Sequence, residues 1–593
     1  MCGIIGLNFK PKESFIDIIN IMKNRGIDNI SYKDINGNHF GHTRLSIIDI
    51  DDEANQPMVF DDIVIVFNGE IYNYRELKKD EELVCQTKSD TEVIIRLYQK
   101  YGIEFLNKLN GAFAFCIYDI KIDRYFCARD RYGKKPFYYY CKDGKFIFAS
   151  MIKPIIKSIG FTPPLNKIAL SQYLQYFTPL APNTFYTDIL KLDSSSYLIY
   201  ENGNLLIKKY YQIKTKKIIY NEDEALKSIE DTLLKSIEDR MVSDVEIGSL
   251  LSGGIDSSLV STIYSKISNK QIKTYSIGYE GMERYSELPF ASIVAKDINS
   301  IHTAIYLTQK EYISCIDEVF EALEEPHSDH ASIPLYFMTK MIKKDGIKTV
   351  FSGEGSDELF LGYNNYAKFY EYYRFKQTLS KEQKSFLKQN LKNTKTTTKE
   401  IEYLKRVLND ELIYNSFGEI FTLNQKKRLF KKVPQFSYFK EKKDPIDWMS
   451  YIDLKVWLGE SLLSKVDKIS MANSVECRNP FLDVNLVDLS FKIDSKLKLG
   501  DTNKYLLKKI ALKYIPKEIV SREKKGFNSP YNEWLNKEFK DDILNEILKA
   551  NKLHNLFDIE YIKELYIASL NNKQKQHIYS LWVFSRWYNI NYG

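Results

Sequence analysis

A cysteine at position 2 has more chemical reach than a cysteine elsewhere in the chain. Removal of Met1 would leave one residue with both a thiol and a free α-amine. An amine of pKa about 8 is partly unprotonated at neutral pH and can accept the thiol proton directly or through water. Nucleophile and base would then share a residue. A lone early cysteine is more often a small buried hydrophobe, so the reading depends on its company. Asn68-Gly69 closes the apolar run Ile63 to Phe67 and offers a side-chain amide and a backbone N–H, two donors able to meet one developing oxyanion. Arg44, in Arg44-Leu45-Ser46-Ile47-Ile48-Asp49, carries the planar fork that grips an amino-acid carboxylate. Glu70 and Asp90 are candidates for the matching ammonium.

A second set is built for phosphate. Ser252-Gly253-Gly254-Ile255-Asp256-Ser257-Ser258 follows the apolar run Val245 to Leu251 and opens a helical pattern. Glycines let the backbone approach phosphate oxygens, serine hydroxyls add donors, and a helix N-terminus favours negative charge. The string contains neither Gly-Lys-Ser/Thr nor Gly-x-Gly-x-x-Gly. Ser352-Gly353-Glu354-Gly355-Ser356-Asp357-Glu358 repeats the theme after another short apolar run.

The elements that must position these residues fall into two grammars. Up to about residue 205 the chain reads as short strands, at 3–8, 63–67, 111–118, 125–129, 137–140 and 145–149, separated by turn signals such as Asn36-Gly37. A helix is expected over Asp90 to Tyr101. From about residue 220 helices alternate with apolar strands (245–251, 273–278, 303–307, 349–351), which implies a parallel sheet with ligands at its carboxyl ends. Residues 364 to 450 read as a basic, aromatic helical insertion, and 451 to 593 return to helices. Lys392 to Lys399 is the expected exposed loop. Two large domains, 2–205 and 220–593, are expected for a chain of 593 residues.

Taken in order, Cys2-Gly3-Ile4-Ile5-Gly6, Arg25-Gly26-Ile27-Asp28, Arg44 to Asp49, Asn68-Gly69-Glu70-Ile71-Tyr72-Asn73 and Ser89-Asp90-Thr91-Glu92 resemble the glutaminase domain of class II glutamine amidotransferases. Those are N-terminal-nucleophile hydrolases of α/β/β/α sandwich fold. The resemblance implies Cys2 as nucleophile, Asn68 and Gly69 as oxyanion hole, and Arg44, Leu45, Ser46, Ile47, Ile48, Asn68, Gly69, Glu70 and Asp90 around the glutamine. Ile27 stands where that family usually has proline; a local loop difference is expected.

The phosphate set resembles the pyrophosphate loop of ATP-pyrophosphatases. Lys465 to Ala472, Glu476 to Asp483, Asn503 to Lys508 and Lys525-Gly526-Phe527 resemble the core of glutamine-hydrolysing asparagine synthetases. By that resemblance ATP meets Leu251, Ser252, Gly253, Gly254, Asp256, Ser257, Ser258, Ile277, Ser352 and Gly353. Asp256 and Asp357 hold Mg2+, because a hard cation on phosphates takes one or two carboxylates. Glu354 serves adenylate formation, and Lys504 contacts the activated intermediate. The expected fold is α/β and α+β: the sandwich, then a parallel-sheet ATP-pyrophosphatase domain with a helical C-terminal part. The expected substrates are glutamine, ATP and aspartate, and a homodimer is compatible with them.

Composition excludes other classes. A hydrophobic share of 44% argues against bulk disorder, and no apolar stretch approaches the roughly 20 residues of a membrane span. Seven cysteines without a Cys-x-x-Cys pair suit neither a disulfide scaffold nor zinc, and fit a cytoplasmic protein. A net charge of +7 from 85 basic and 78 acidic residues implies no nucleic-acid partner. The basic cluster Lys426, Lys427, Arg428, Lys431, Lys432, Lys440, Lys442 and Lys443 reads as a solvated face. Tyr363, Tyr366, Phe369, Tyr370 and Tyr373 read as a helix's core stripe. The acid- and histidine-rich Glu324 to His330 lacks metal-ligand spacing.

One alternative stays open at this level and two are disfavoured. The same two sites amidating another carboxylate, a sugar acid or a peptide carboxyl, is allowed by Leu361 and Asn479 near the acceptor pocket. A regulator that only binds glutamine or ATP would need no Cys2, Asp256 and Asp357 together. A tRNA-modifying pyrophosphatase would not need the N-terminal set.

Overall fold

The computed structural model describes residues 2–392, 398–437, 439–523, 526 and 529–593. In the strand Ile63–Ile71, Val64 and Val66 are buried on one face and Ile65 and Phe67 on the other, so the strand is covered on both sides. Val64 and Val66 meet Ile4, Cys116, Phe146 and Phe148 in an apolar layer between two six-stranded antiparallel sheets. Ile65 and Phe67 pack instead on Val93, Ile94 and Leu97 of the helix Asp90–Tyr101. The other sheet turns Ile5 and Leu7 toward the helices Phe15–Asn20 and Ile152–Ile159. The result is the expected helix, sheet, sheet, helix sandwich, with Gly3–Leu7 inside its sheet between Asn38–Arg44 and Lys145–Ala149.

The third sheet is parallel throughout, in the order Ile301–Leu307, Lys273–Tyr279, Ile247–Leu250, Thr349–Phe351, Glu476–Arg478. Four of these strands coincide with apolar runs in the sequence. The fifth does not, because Glu476-Cys477-Arg478 carries two charges, both buried. The strand Ile63–Ile71 also runs past Phe67, the expected end, so Asn68 and Gly69 lie within it. Two consecutive helices, Gln309–Ser314 and Ile316–Leu323, follow the strand Ile301–Leu307.

Between 364 and 450 the described residues form the helices Asn364–Thr378, Lys381–Lys392, Lys399–Leu408, Leu423–Leu429 and Pro445–Asp453, which bury a cluster around Tyr366, Phe369, Tyr373, Tyr403, Tyr414 and Trp448. Lys426 departs from the solvated-face reading: it is 1% exposed, and its ammonium donates to Gln175 Oε1 at 2.6 Å. A buried amide that accepts from it makes the position tolerable. Lys525 and Phe527, and 393–397 of the expected loop, lie outside the described residues.

Candidate active site

Cys2 is 8% exposed. Its backbone nitrogen donates to Asn68 Oδ1 at 3.1 Å, and burial pushes its thiol above the ordinary range. A neutral thiol needs a base, and a free α-amine on Cys2 itself, exposed by loss of Met1, would be one. Asn68 Nδ2 is buried and has no hydrogen-bond partner among the described residues. An orphaned donor is costly in a folded protein and is what an oxyanion hole requires before substrate arrives. Gly69 has φ 153°, and a Cβ there would collide with the Ala112 carbonyl, so only glycine fits beside that amide.

Around this nucleophile the expected clamp is partly assembled. Arg44 is 5% exposed; its guanidinium donates to the carbonyl of Asp51 and to Asn55 Oδ1, both at 2.8 Å, and to the Asp49 carbonyl. Leu45 and Ile47 are buried against Met471, Ile48 packs beside them, and Ser46 N donates to Asp28 Oδ2 at 2.7 Å. Ile27 is exposed, and Asp28 N bonds to the Arg44 carbonyl at 2.9 Å, so the loop keeps its seat without the proline. Asp90 is buried and accepts from Ile71 N at 2.9 Å; burial raises its carboxyl to about 6. Glu70 lies two residues beyond Asn68 on the same face of the strand, and its carboxylate is held by Arg478.

The phosphate set also converges. Ser252 to Gly254 forms the turn between the strand Ile247–Leu250 and the helix Ile255–Ser268, whose first turn carries Asp256, Ser257 and Ser258. Leu251 N donates to the Tyr275 carbonyl at 2.8 Å, and Ile277 lies buried further along that neighbouring strand. Across the turn, Ser257 Oγ accepts from Ser252 N at 3.1 Å. Ser258 Oγ is a buried hydroxyl without a partner among the described residues. A Cβ on Gly353 would lie 2.9 Å from Asp256 Cβ and from Ser257 N, so the second loop abuts the first there. Ser356 Oγ bonds to Asp256 Oδ1 at 2.5 Å. Lys504 Nζ lies 2.5 Å from Asp256 and 2.7 Å from Asp357. Burial opposes its charge, but the two aspartates outweigh burial and raise its pKa. Two carboxylates close enough to share one ammonium are close enough to share a hard cation. Glu354 accepts from Ser352 Oγ and, at 3.2 Å, from Asn479 Nδ2.

Contacts join the two sets. Arg25 donates to the Cys2 carbonyl at 3.1 Å and to Asp467 at 2.8 Å, with both side chains under 5% exposed. The Arg478 side chain reaches Glu70, while its carbonyl accepts from Ser352 N at 2.9 Å. Asn479 Nδ2 reaches Ser352 Oγ at 2.8 Å. Arg478 had no role assigned from sequence, and the only signal was its place between Glu476 and Asn479 in a matched string. His327 bonds to the Ser461 carbonyl at 3.1 Å, and Asp329 pairs with Lys465 at 2.7 Å. Among the described residues no group of three or more His, Cys, Asp or Glu could hold a metal.

A candidate thiol nucleophile in an antiparallel double sheet and a candidate phosphate turn in a parallel one fit a glutamine amidotransferase fused to an ATP-using synthetase. The glutamine amidotransferase domain model matches residues 1–211, and the asparagine synthase model matches 228–589. The chain is similar to asparagine synthetase [glutamine-hydrolyzing] 1 of Bacillus subtilis, 32% identical over 100% of this chain and 97% of that protein. It is 35% identical to a putative asparagine synthetase [glutamine-hydrolyzing] 2 of Methanocaldococcus jannaschii over 61% of this chain and 76% of that protein. Asparagine synthetase [glutamine-hydrolyzing] 3 of B. subtilis is 26% identical over 94% of each. The chain belongs to the glutamine-hydrolysing asparagine synthetase family.

Proposed function

We propose that this chain releases ammonia from glutamine at Cys2 and uses it to amidate an aspartate activated by ATP, giving asparagine, glutamate, AMP and pyrophosphate. The observation that carries the reading is the pairing, in one chain, of a thiol beside an orphaned amide donor with a second site where Asp256, Asp357 and Lys504 meet from three separate elements.

In the first half the Cys2 α-amine takes the thiol proton and the sulfur attacks the glutamine side-chain carbonyl. Asn68 Nδ2 and the Gly69 N–H receive the oxyanion. The amine then returns its proton to the departing nitrogen, and water hydrolyses the thioester. Arg44 and Asp90 hold the two charged ends of glutamine, with Glu70 beside them.

A carboxylate cannot be amidated directly, because oxide is too poor a leaving group. Its attack on the α-phosphorus of ATP replaces that oxide by AMP. Leu251, Ser252, Gly253, Gly254, Ser257, Ser258, Ile277, Ser352 and Gly353 hold the nucleotide. Asp256 and Asp357 would hold Mg2+, which when bound offsets phosphate charge. Lys504, freed from the aspartates, brings a cation to the reacting centre. Glu354, held by Ser352 and Asn479, is the acid–base group of this half. Ammonia is mostly protonated in water at neutral pH, so a dry passage between the sites keeps it nucleophilic.

Among the described residues no helix is long and apolar enough to cross a membrane. A cytoplasmic location and a homodimer belong to the same proposal; fractionation and light scattering test them. The main test is pyrophosphate release with glutamine across a panel of carboxylates. Aspartate should give the highest rate and asparagine the product. Absence of aspartate-dependent AMP, with a sugar acid or peptide active instead, would move the reading to another acceptor.

A further inference from the structure

Three charged side chains meet where the sandwich touches the parallel sheet. Glu70 is 3% exposed, and Glu476 and Arg478 are fully buried. Arg478 donates to Glu70 Oε2 and, through Nε at 3.3 Å, to Glu476 Oε2. Its remaining donor, Nη1, goes to the carbonyls of Arg240 at 2.5 Å and Val242 at 2.8 Å. The second oxygens, Glu70 Oε1 and Glu476 Oε1, are both buried and both lack a donor among the described residues. Two carboxylates beside one guanidinium leave a net negative charge in a site closed to water. Such a charge is expensive unless neutralised.

One proton settles both deficits. Placed between the carboxyls, it gives the two orphaned oxygens a shared hydrogen bond and brings the cluster to zero. Two like charges forced together titrate in this way, one carboxyl keeping its proton while the other ionises. Burial drives Glu70 well above the usual carboxylate range, with Arg478 pulling against it. Burial acts on Glu476 too, but Arg478 and then Lys135 outweigh it and hold it below that range. The other groups facing the pair are Asp90, Tyr72, Arg240 and the chain's N-terminal amine. Of these Arg240 is already paired with Asp483 at 3.0 Å.

We infer that Glu70 and Glu476 hold a single proton between them over Arg478, and that this keeps the boundary between the two sites neutral, so that ammonia passes without being captured as ammonium. The second clause rests on the function proposed above. Transfer of the shared proton to ammonia would turn two neutral partners into an ammonium and an uncompensated carboxylate in a dry site, and the cost of burying that separated charge opposes it. When the pair loses its proton to solvent at high pH, the cluster turns negative and becomes a trap for ammonium.

Glu476→Gln separates the possibilities, because its amide donates to Glu70 Oε1 and restores neutrality with no shared proton. Infrared difference spectra at pH 7.5, wild type minus variant, should show one protonated-carboxyl band that Glu476→Gln lacks. Subtraction removes the bands of other protonated acids common to both. Glu70→Gln should lose the same band and serves if Glu476→Gln does not fold. In wild type the asparagine formed per glutamate should fall at least about twofold as pH rises through the titration of that band. In Glu476→Gln it should stay level, with ammonium-dependent synthesis within about twofold of wild type. No band in wild type, or a band that survives both substitutions, overturns the shared proton. A level ratio in wild type while the band titrates overturns its effect on ammonia. A wild-type protein that shows the band yet hydrolyses no glutamine strikes the proposed function and leaves the shared proton in place.

Discussion

Lys504 stands between Asp256 and Asp357, 2.5 Å from one and 2.7 Å from the other, and so occupies with its own ammonium the place proposed for a divalent cation. Cation and lysine compete for the same two carboxylates, so loading the site obliges Lys504 to turn toward the phosphates. Asp256→Asn should lower magnesium-dependent pyrophosphate release by about 10²-fold or more, the usual scale for losing one electrostatic contact in a site. Glutamine hydrolysis should stay within about twofold. Full-rate synthesis by Asp256→Asn would sink the assignment of both ligands.

Cys2→Ala keeps the α-amine and removes the sulfur. Glutamine hydrolysis and glutamine-dependent synthesis should both vanish, while synthesis from ammonium salts persists and grows with pH as free ammonia rises. The checks are glutamate release and intact mass, which should show Met1 gone from active wild-type protein. Residual glutaminase in the variant, or an active enzyme retaining Met1, would contradict the mechanism.

The proposed nucleophile, amide donor, phosphate turn and both aspartates could be picked out in the sequence because each sits in a short run whose residue types would serve the chemistry directly. Arg478 and Asp467 are not, since their partners lie about 400 positions away: Glu70 in one case, Arg25 in the other. No local pattern reports such a pairing. The fifth parallel strand escaped for a related reason, because its buried charges break the apolar rule by which its four neighbours are recognised. Lys426 misled in the opposite sense: basic residues cluster around it, and only the fold shows the Gln175 carbonyl that it meets.

Arg25 and Asp467 are a buried pair, and removing Arg25 leaves Asp467 with only the more distant Lys135, 3.7 Å away. Arg25→Met should destabilise the protein by about 3–5 kcal/mol, and adding Asp467→Asn should recover part of that loss. Urea unfolding of the two single variants and the double variant measures the coupling. Strict additivity would show that the pair contributes no mutual stabilisation.

Acid should unfold this protein through its histidines. Burial holds His42 and His577 down to about 3 and His327 and His554 to about 4. An unfolded chain protonates them near pH 6.5, so at lower pH it binds protons that the folded chain refuses. Their contribution is fully present above about pH 6.5 and is lost as pH falls through the folded values. The melting temperature should therefore decline from pH 6.5 to pH 4, and less steeply in His327→Asn. An unchanged slope in that variant would remove His327 from the account.

The strand that begins beside the proposed nucleophile sets a clock on maturation. Gly3–Leu7 is hydrogen-bonded on one side to Asn38–Arg44 and on the other to Lys145–Ala149, with Ile5 opposite Ala149. Its seat is complete only once synthesis has passed residue 149. At about 5–20 residues per second that leaves roughly 7–30 s in which the first residues are still loose enough for an aminopeptidase to take the methionine. A ribosome that outruns the aminopeptidase would leave a folded protein with its nucleophile capped, and slower translation of the first quarter of the message would rescue its glutaminase without any change in sequence.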